Sequence, residues 1–225
     1  MHTQFMKPTK IFSLIALLLI ASASIAQTDE ERSEIAKTYM DKVTKKNKSY
    51  STINTSFTLT IDNKQQNTKT NHKGSLLTKG NKYRLNLMDN ITYFDGTTVC
   101  TWLVNDKEAN ISDVDETSES VVGPLQLTSS VDKKYKMRYL QDTKVNTADC
   151  VEIDLYPIDR KTNITRVRLT IDKKSYAIRR IMQQGKDGTS YYVDITTFTT
   201  NENVADKEFT FDKSAHPDVE IVDLR

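Results

Sequence analysis

The side chains able to do covalent chemistry are few. The chain has three histidines, His2, His72 and His216. A Ser or Cys nucleophile needs a base within hydrogen-bond reach, and a zinc site needs closely spaced His or Cys ligands. No histidine here has a carboxylate, Ser or Cys at such a spacing, and the HExxH, GxSxG, GxGxxG, Walker and CxxC patterns do not occur. The expectation is therefore a protein that is not an enzyme and calls for no cofactor and no metal. Asp113, Asp115, Glu116 and Glu119 offer carboxylate oxygens, but without the glycine and spacing of a calcium loop. They read as a solvated acidic loop.

Cys100 and Cys150 are the two cysteines. An oxidising compartment permits a bond between them, and both fall out of phase with the apolar positions of their strands, on the same type of face. Nothing in the sequence makes those strands neighbours, so a disulfide and two inert thiols both stay open.

The elements that must position these groups begin with an export signal. Lys7 and Lys10 precede an apolar run from Ile11 to Ile20, and Ala21 to Ala26 is a run of mostly small residues. The apolar run is about half the length of a membrane span. Cleavage is expected after Ala26, leaving residues 27–225 as a single domain outside the cytoplasm. Gln27 stands where a lipid-anchored protein would have Cys, so the mature chain is expected to be unanchored. Removing the signal takes away two of the 32 basic residues and none of the 30 acidic ones. A neutral chain has no concentrated basic face for nucleic acid.

Thr28 and Glu31 have the spacing of a capping box, and Ile35, Tyr39 and Val43 recur every four residues after it, which predicts an amphipathic helix. From Ile53 onward the period becomes two. Alternation predicts strands at Phe57-Leu59-Ile61, Tyr83-Leu85-Leu87, Val99-Thr101-Leu103, Tyr135-Met137-Tyr139, Val151-Ile153-Leu155, Val167-Leu169-Ile171, Tyr176-Ile178-Met182 and Tyr191-Val193-Ile195. Turn signals at Asp95-Gly96, Asn105-Asp106 and Asp187-Gly188 make neighbouring strands antiparallel. Val121 to Leu127, with Gly123-Pro124, reads as a short helix or lid.

The fold class expected is mainly β (α+β): a curled antiparallel sheet, an incomplete barrel of about nine to eleven strands, covered by one or two helices. Such a sheet presents one concave apolar face where a hydrophobic ligand could sit. The candidates for that face are Phe57, Leu59, Ile61, Tyr83, Leu85, Leu87, Val99, Leu103, Tyr135, Met137, Tyr139, Val151, Ile153, Leu155, Val167 and Leu169. The plain alternative is that they are solid core. Ile35, Tyr39 and Val43 of the helix, with Val121, Val122, Leu125 and Leu127, are the candidate mobile cover.

The order of these features resembles the LolA-type periplasmic carriers of outer-membrane lipoproteins. The resemblance rests on Phe57 to Ile61 after the helix, Gly74 to Lys79 leading to Tyr83-Arg84-Leu85, and Phe94 to Cys100. It continues through Arg166 to Ile171, Asp187-Gly188, Lys207 to Phe211 and Val222-Asp223. It implies a monomeric periplasmic chaperone whose cavity receives the acyl chains of acylated lipoproteins. It also implies an ATP-driven release complex in the inner membrane and an acceptor at the outer membrane. Two departures stand out: Cys100 replaces a Trp common after the turn, with Trp102 two places on, and the family's lid-latching arginine would stand close to Gly80, where the nearby Arg84 is opposite in phase to the apolar set. A carrier of another lipid or glycolipid, or an envelope sensor with a fully packed sheet, are the alternatives.

Overall fold

Helix α1, Asp29–Lys48, starts at the capping box. The backbone N–H of Glu31 donates to Thr28 Oγ1 at 3.2 Å, and that of Thr28 donates to Glu31 Oε2 at 2.9 Å. Acidic residues fill its first turn and lysines its last, matching the helix dipole at both ends. The computed structural model describes residues 28–113 and 131–225. The expected export signal lies outside the described residues, as do Asp115, Glu116, Glu119 and the expected lid residues Val121, Val122, Leu125 and Leu127.

The strands follow as β1 Thr52–Asn63, β2 Thr68–Lys79, β3 Lys82–Leu87, β4 Asn90–Phe94, β5 Val99–Leu103 and β6 Glu108–Ser112. After a single helical turn, α2 Val131–Lys134, come β7 Tyr135–Val145, β8 Ala148–Pro157, β9 Ile164–Asp172, β10 Ile178–Gly185 and β11 Thr189–Thr200. A 3-10 turn at Asp206–Phe209 and β12 Glu220–Asp223 close the chain. All belong to one 12-stranded sheet in the order β12-β6-β5-β4-β3-β2-β1-β11-β10-β9-β8-β7. Paired neighbours are antiparallel apart from β12, which runs parallel to β6. The sheet does not close, since β7 and β12 each have a single neighbour. A sheet beyond about ten strands curls.

The count of 12 exceeds the nine to eleven expected because polar strands escape an apolar alternation. The first half of β2 reads Thr-Lys-Thr-Asn-His-Lys and is strand only because β1 pairs along its whole length. His72, expected beside a turn, consequently sits within β2 opposite Leu59. The turn signals hold: Asp95 Oδ1 accepts from the N–H groups of Thr97 and Thr98 at 2.9 Å, and Gly188 takes φ +80, a conformation only glycine enters freely.

Under α1 lies the main core. Ala36, Met40 and Val43 are its buried positions, packed with Phe57, Leu59, Ile153, Leu169, Ile181 and Val193. The helix stripe is thus wider than the Ile35-Tyr39-Val43 spacing suggested: Tyr39 packs at its margin and Ile35 is half-buried. A register shift between Ile178 and Arg180 changes the phase of β10. It sends Ile181, rather than the expected Met182, into the core cluster beneath α1; Met182 is buried on the outer face, opposite Arg168 and Tyr192. Tyr176 precedes the strand, with its ring 6.4 Å from that of Tyr39.

The outer face is not uniformly wet. The chain after β11 crosses β1 to β6 on the outside: Thr52 Oγ1 donates to the Glu202 carbonyl at 2.9 Å, and Lys79 and Lys82 grip Asp206 at 2.7 and 2.8 Å. Phe209 and Val219 are buried there, and Phe211 and His216 stack around Trp102, His216 at 4.2 Å. On the β8–β9 half the outer face is ionic, with Arg168 making a two-pronged bond to the buried Asp154 carboxylate at 2.6 and 2.9 Å.

Candidate functional site

Cross-strand register shows which residues share the inner face. One row runs Tyr139, Ile153, Leu169, Ile181, Val193, Leu59. A second runs Met137, Leu155, Val167, and Phe57 lies between Ile195 and Gly74. Across β3 to β5 the rows continue as Tyr83-Phe94-Val99, Leu85-Thr92-Thr101 and Leu87-Asn90-Leu103. Every residue of the expected apolar set therefore lies on one face.

That face divides into two regions of different accessibility. Phe57, Leu59, Val151, Ile153, Leu155, Val167 and Leu169 are closed to solvent and belong to the core beneath α1. Ile61, Tyr83, Leu85, Leu87, Val99, Leu103, Tyr135, Met137 and Tyr139 are half-buried. Tyr83, Leu85, Leu87, Val99 and Leu103, joined by Phe94, make a largely apolar floor on three adjacent strands, β3, β4 and β5, with Asn90, Thr92 and Thr101 set among them. The Tyr83 and Phe94 rings pack at 5.3 Å, and burial pushes the Tyr83 phenol up from its ordinary pKa, which keeps it uncharged. Sequence alternation missed Phe94, which its own strand, Asn-Ile-Thr-Tyr-Phe, obscures by carrying apolar residues on both faces.

The other half-buried members lie near α1. Tyr135 and Met137 border a hollow of about 490 Å³ shared with Asp29, Ser33 and Lys37 of the first helical turns and with Tyr156 and Ile158. Asp29 and Arg138 form an ion pair at 3.1 Å across it. Lys42 lies over the rings of Tyr39 and Tyr176 at 5.7 and 5.1 Å.

The two cysteines do not meet. Both are free, and β4, β3, β2, β1, β11, β10 and β9 lie between their strands. The disulfide left open by the sequence is thereby excluded, although the two residues do share the outer face: Cys100 pairs with Tyr93 and Ile111, Cys150 with Thr143 and Asp172. Burial pushes both thiols up, away from the reactive thiolate. Arg84 also points outward, ion-paired with Glu208 of the 3-10 turn.

Among the described residues the inner face pairs Tyr139 with Asp142, the Tyr139 hydroxyl donating to Asp142 Oδ1 at 3.1 Å while Lys173 holds the other carboxylate oxygen. His72, on that face, is hydrogen-bonded to Thr70 Oγ1 at 3.1 Å, and His216, on the other, stacks on Trp102. Among the described residues no cluster of three or more His, Cys, Asp or Glu side chains could hold a metal ion. The inner face of β3 to β5 offers half-buried apolar surface.

Comparison with known proteins agrees with this architecture. The model of the family described as "Outer membrane lipoprotein carrier protein LolA" matches residues 48–212. An uncharacterized conserved protein from Thermus thermophilus is 12% identical and aligns over 84% of this chain and 99% of its own, with a TM-score of 0.58, so the fold is shared. A putative outer membrane lipoprotein-sorting protein domain from Vibrio parahaemolyticus is 12% identical over 79% of this chain and 97% of its own, TM-score 0.47. A LolA superfamily protein from Nitrosomonas europaea is 12% identical over 78% and 97%, TM-score 0.45. No curated protein matches the chain. With the family model spanning the sheet from the end of α1 to beyond the 3-10 turn, the chain belongs to the LolA family of outer membrane lipoprotein carriers.

Proposed function

We propose that this protein is a periplasmic chaperone that takes the acyl chains of lipoproteins onto the β3–β5 floor and shuttles them from the inner to the outer membrane without covalent chemistry. The observation that carries the reading is the half-buried apolar set Tyr83, Leu85, Leu87, Phe94, Val99 and Leu103 on β3 to β5, on the same face whose Phe57, Leu59, Ile153 and Leu169 are closed to solvent.

The energetics of such a cargo fix the rest of the mechanism. Burial is worth roughly 0.8 kcal/mol per methylene, so one chain of about 14 methylenes is worth about 11 kcal/mol. Two or more chains reach the ceiling of non-covalent affinity, near 20 kcal/mol, and could not leave through water. Cargo must pass directly from one apolar site to another, which calls for a protein partner at each end; the family resemblance makes these an ATP-driven complex at the inner membrane and an acceptor at the outer one. Helix α1 is a poor mobile cover: lifting it exposes Met40 and Val43, at roughly 1.5–3 kcal/mol each. It serves better as the fixed wall of the site.

Purification from periplasm without detergent, followed by mass spectrometry of what co-purifies, tests the proposal. Acylated protein or peptide is the expected finding. A bound lipid of another class would redirect the cargo assignment, and an empty protein that also ignores a fluorescent fatty-acyl probe would end the carrier reading.

A further inference from the structure

The inner face of β1 to β6 sorts its polar groups by charge. In these strands Lys69, Lys73, Lys79, Lys82 and Arg84 all alternate to the outer face, in register with Asp62, Thr58, Thr52 and Leu77. The inner face carries no lysine or arginine there, and its single carboxylate is Glu108, opposite Leu103. What it does carry is a neutral row that runs through the apolar floor. Leu85 stands opposite Thr92, Thr92 opposite Thr101, and Thr101 opposite Asn110, all half-buried.

The Thr92 and Thr101 hydroxyl oxygens lie 3.4 Å apart. Two hydroxyls in one mutual hydrogen bond use one proton and leave the other to be donated elsewhere, and the Asn110 amide adds two N–H donors and a carbonyl. A phosphate brought onto this row would be desolvated with no cation to meet it and with Glu108 on the same face, a costly arrangement. An ester or amide carbonyl needs only what the row supplies.

Resting on the acyl-carrier reading above, we infer that Thr92, Thr101 and Asn110 form a polar subsite for the uncharged linkage of the cargo, accepting acyl chains joined through neutral ester or amide groups and excluding anionic phospholipid headgroups. The apolar floor of Leu85, Val99 and Leu103 would hold the chains while the row reads how they are joined. The subsite thus makes neutral diacylglyceryl-type cargo the ligand class and phosphatidate the discriminated one.

The test displaces a bound alkylpyrene probe from the purified full chain with diacylglycerol or with phosphatidic acid carrying the same acyl chains. Diacylglycerol is expected to compete about tenfold better, the effect of one to two hydrogen bonds and an uncompensated charge. The isosteric double variant Thr92→Val/Thr101→Val is expected to lose about five- to tenfold in diacylglycerol affinity while binding the alkylpyrene as before. Probe binding with phosphatidic acid competing equally well or better, or a double variant with no selective loss, overturns the subsite and leaves the carrier reading standing. Failure of the wild-type chain to bind the alkylpyrene at all overturns both. The wild-type comparison of the two lipids decides the matter even if the double variant does not fold.

Discussion

The ring of Phe57 lies directly over Gly74 on the neighbouring strand: a Cβ at position 74 would stand 2.5 Å from Phe57 Cε2 and 3.1 Å from the Asn86 carbonyl oxygen. Gly74 is opposite both Phe57 and Leu87, so the closed core and the half-buried floor meet at this point. The absent side chain leaves room for the ring to fill, and the ring in turn protects a residue that is otherwise weak in a strand.

Gly74→Ala should therefore destabilise the protein by about 1–3 kcal/mol through overpacking, and displace the Phe57 ring. Denaturant unfolding of Gly74→Ala, of Phe57→Leu and of Gly74→Ala/Phe57→Leu checks this. The double variant is expected to recover part of the loss, giving a favourable coupling; simple additivity would contradict the direct contact.

Acidic substitutions should separate the floor from the core. Leu85 is half-buried, whereas Leu155 is 1% exposed. Leu85→Glu is expected to keep the native circular dichroism and lose at least about tenfold in acyl-probe affinity. Leu155→Glu buries an unpaired charge and should fail to fold, with a cost beyond about 3 kcal/mol. Normal probe binding by folded Leu85→Glu would remove the β3–β5 floor from the site.

Asp172 gives the fold an acid limb. Despite burial, hydrogen bonds from Ser175, Arg179 and Lys174 hold its carboxyl down at about 2. A carboxyl whose pKa is lower folded than unfolded contributes stability above its unfolded value near 4 and loses it as pH falls toward 2. Asp172→Asn should lower stability at pH 7 by about 1–2 kcal/mol, and flatten the decline between pH 4 and pH 2. Parallel pH curves for the two proteins would contradict this.

The free thiols give a chemical check. Unfolding in the presence of an alkylating agent without reductant should label both Cys100 and Cys150, and thermal stability should not respond to added reductant. An unlabelled pair would mean that the strand order separating them is wrong.

Much of this was legible in the sequence because period-two alternation survives wherever one face is dry. Phe57-Leu59-Ile61 and Val151-Ile153-Leu155 announce their strands and their shared face without tertiary information. Alternation fails where the partner strand decides. The first half of β2 is polar on both sides, and β10 slips phase at Ile178/Arg180, so that Ile181 and not Met182 reaches the core. The outer cover was equally hidden, because Trp102, Phe211 and His216 belong together only once the chain after β11 crosses β5. The division of the apolar face into closed core and half-buried floor is set by where α1 lies, which no local pattern encodes. The Thr92-Thr101-Asn110 row is likewise a product of register, with members drawn from three strands.

The central claim is that cargo lies on the inner face of β3 to β5. The most direct measurement places a photo-crosslinking side chain at Leu85 or Leu103, and for comparison at Lys73 or Arg84 on the outer face, in the protein expressed in its own envelope. Illumination followed by mass spectrometry should give acyl-bearing adducts from positions 85 and 103 and none from 73 and 84. Acyl adducts from the outer positions, with none from the inner ones, would contradict the account.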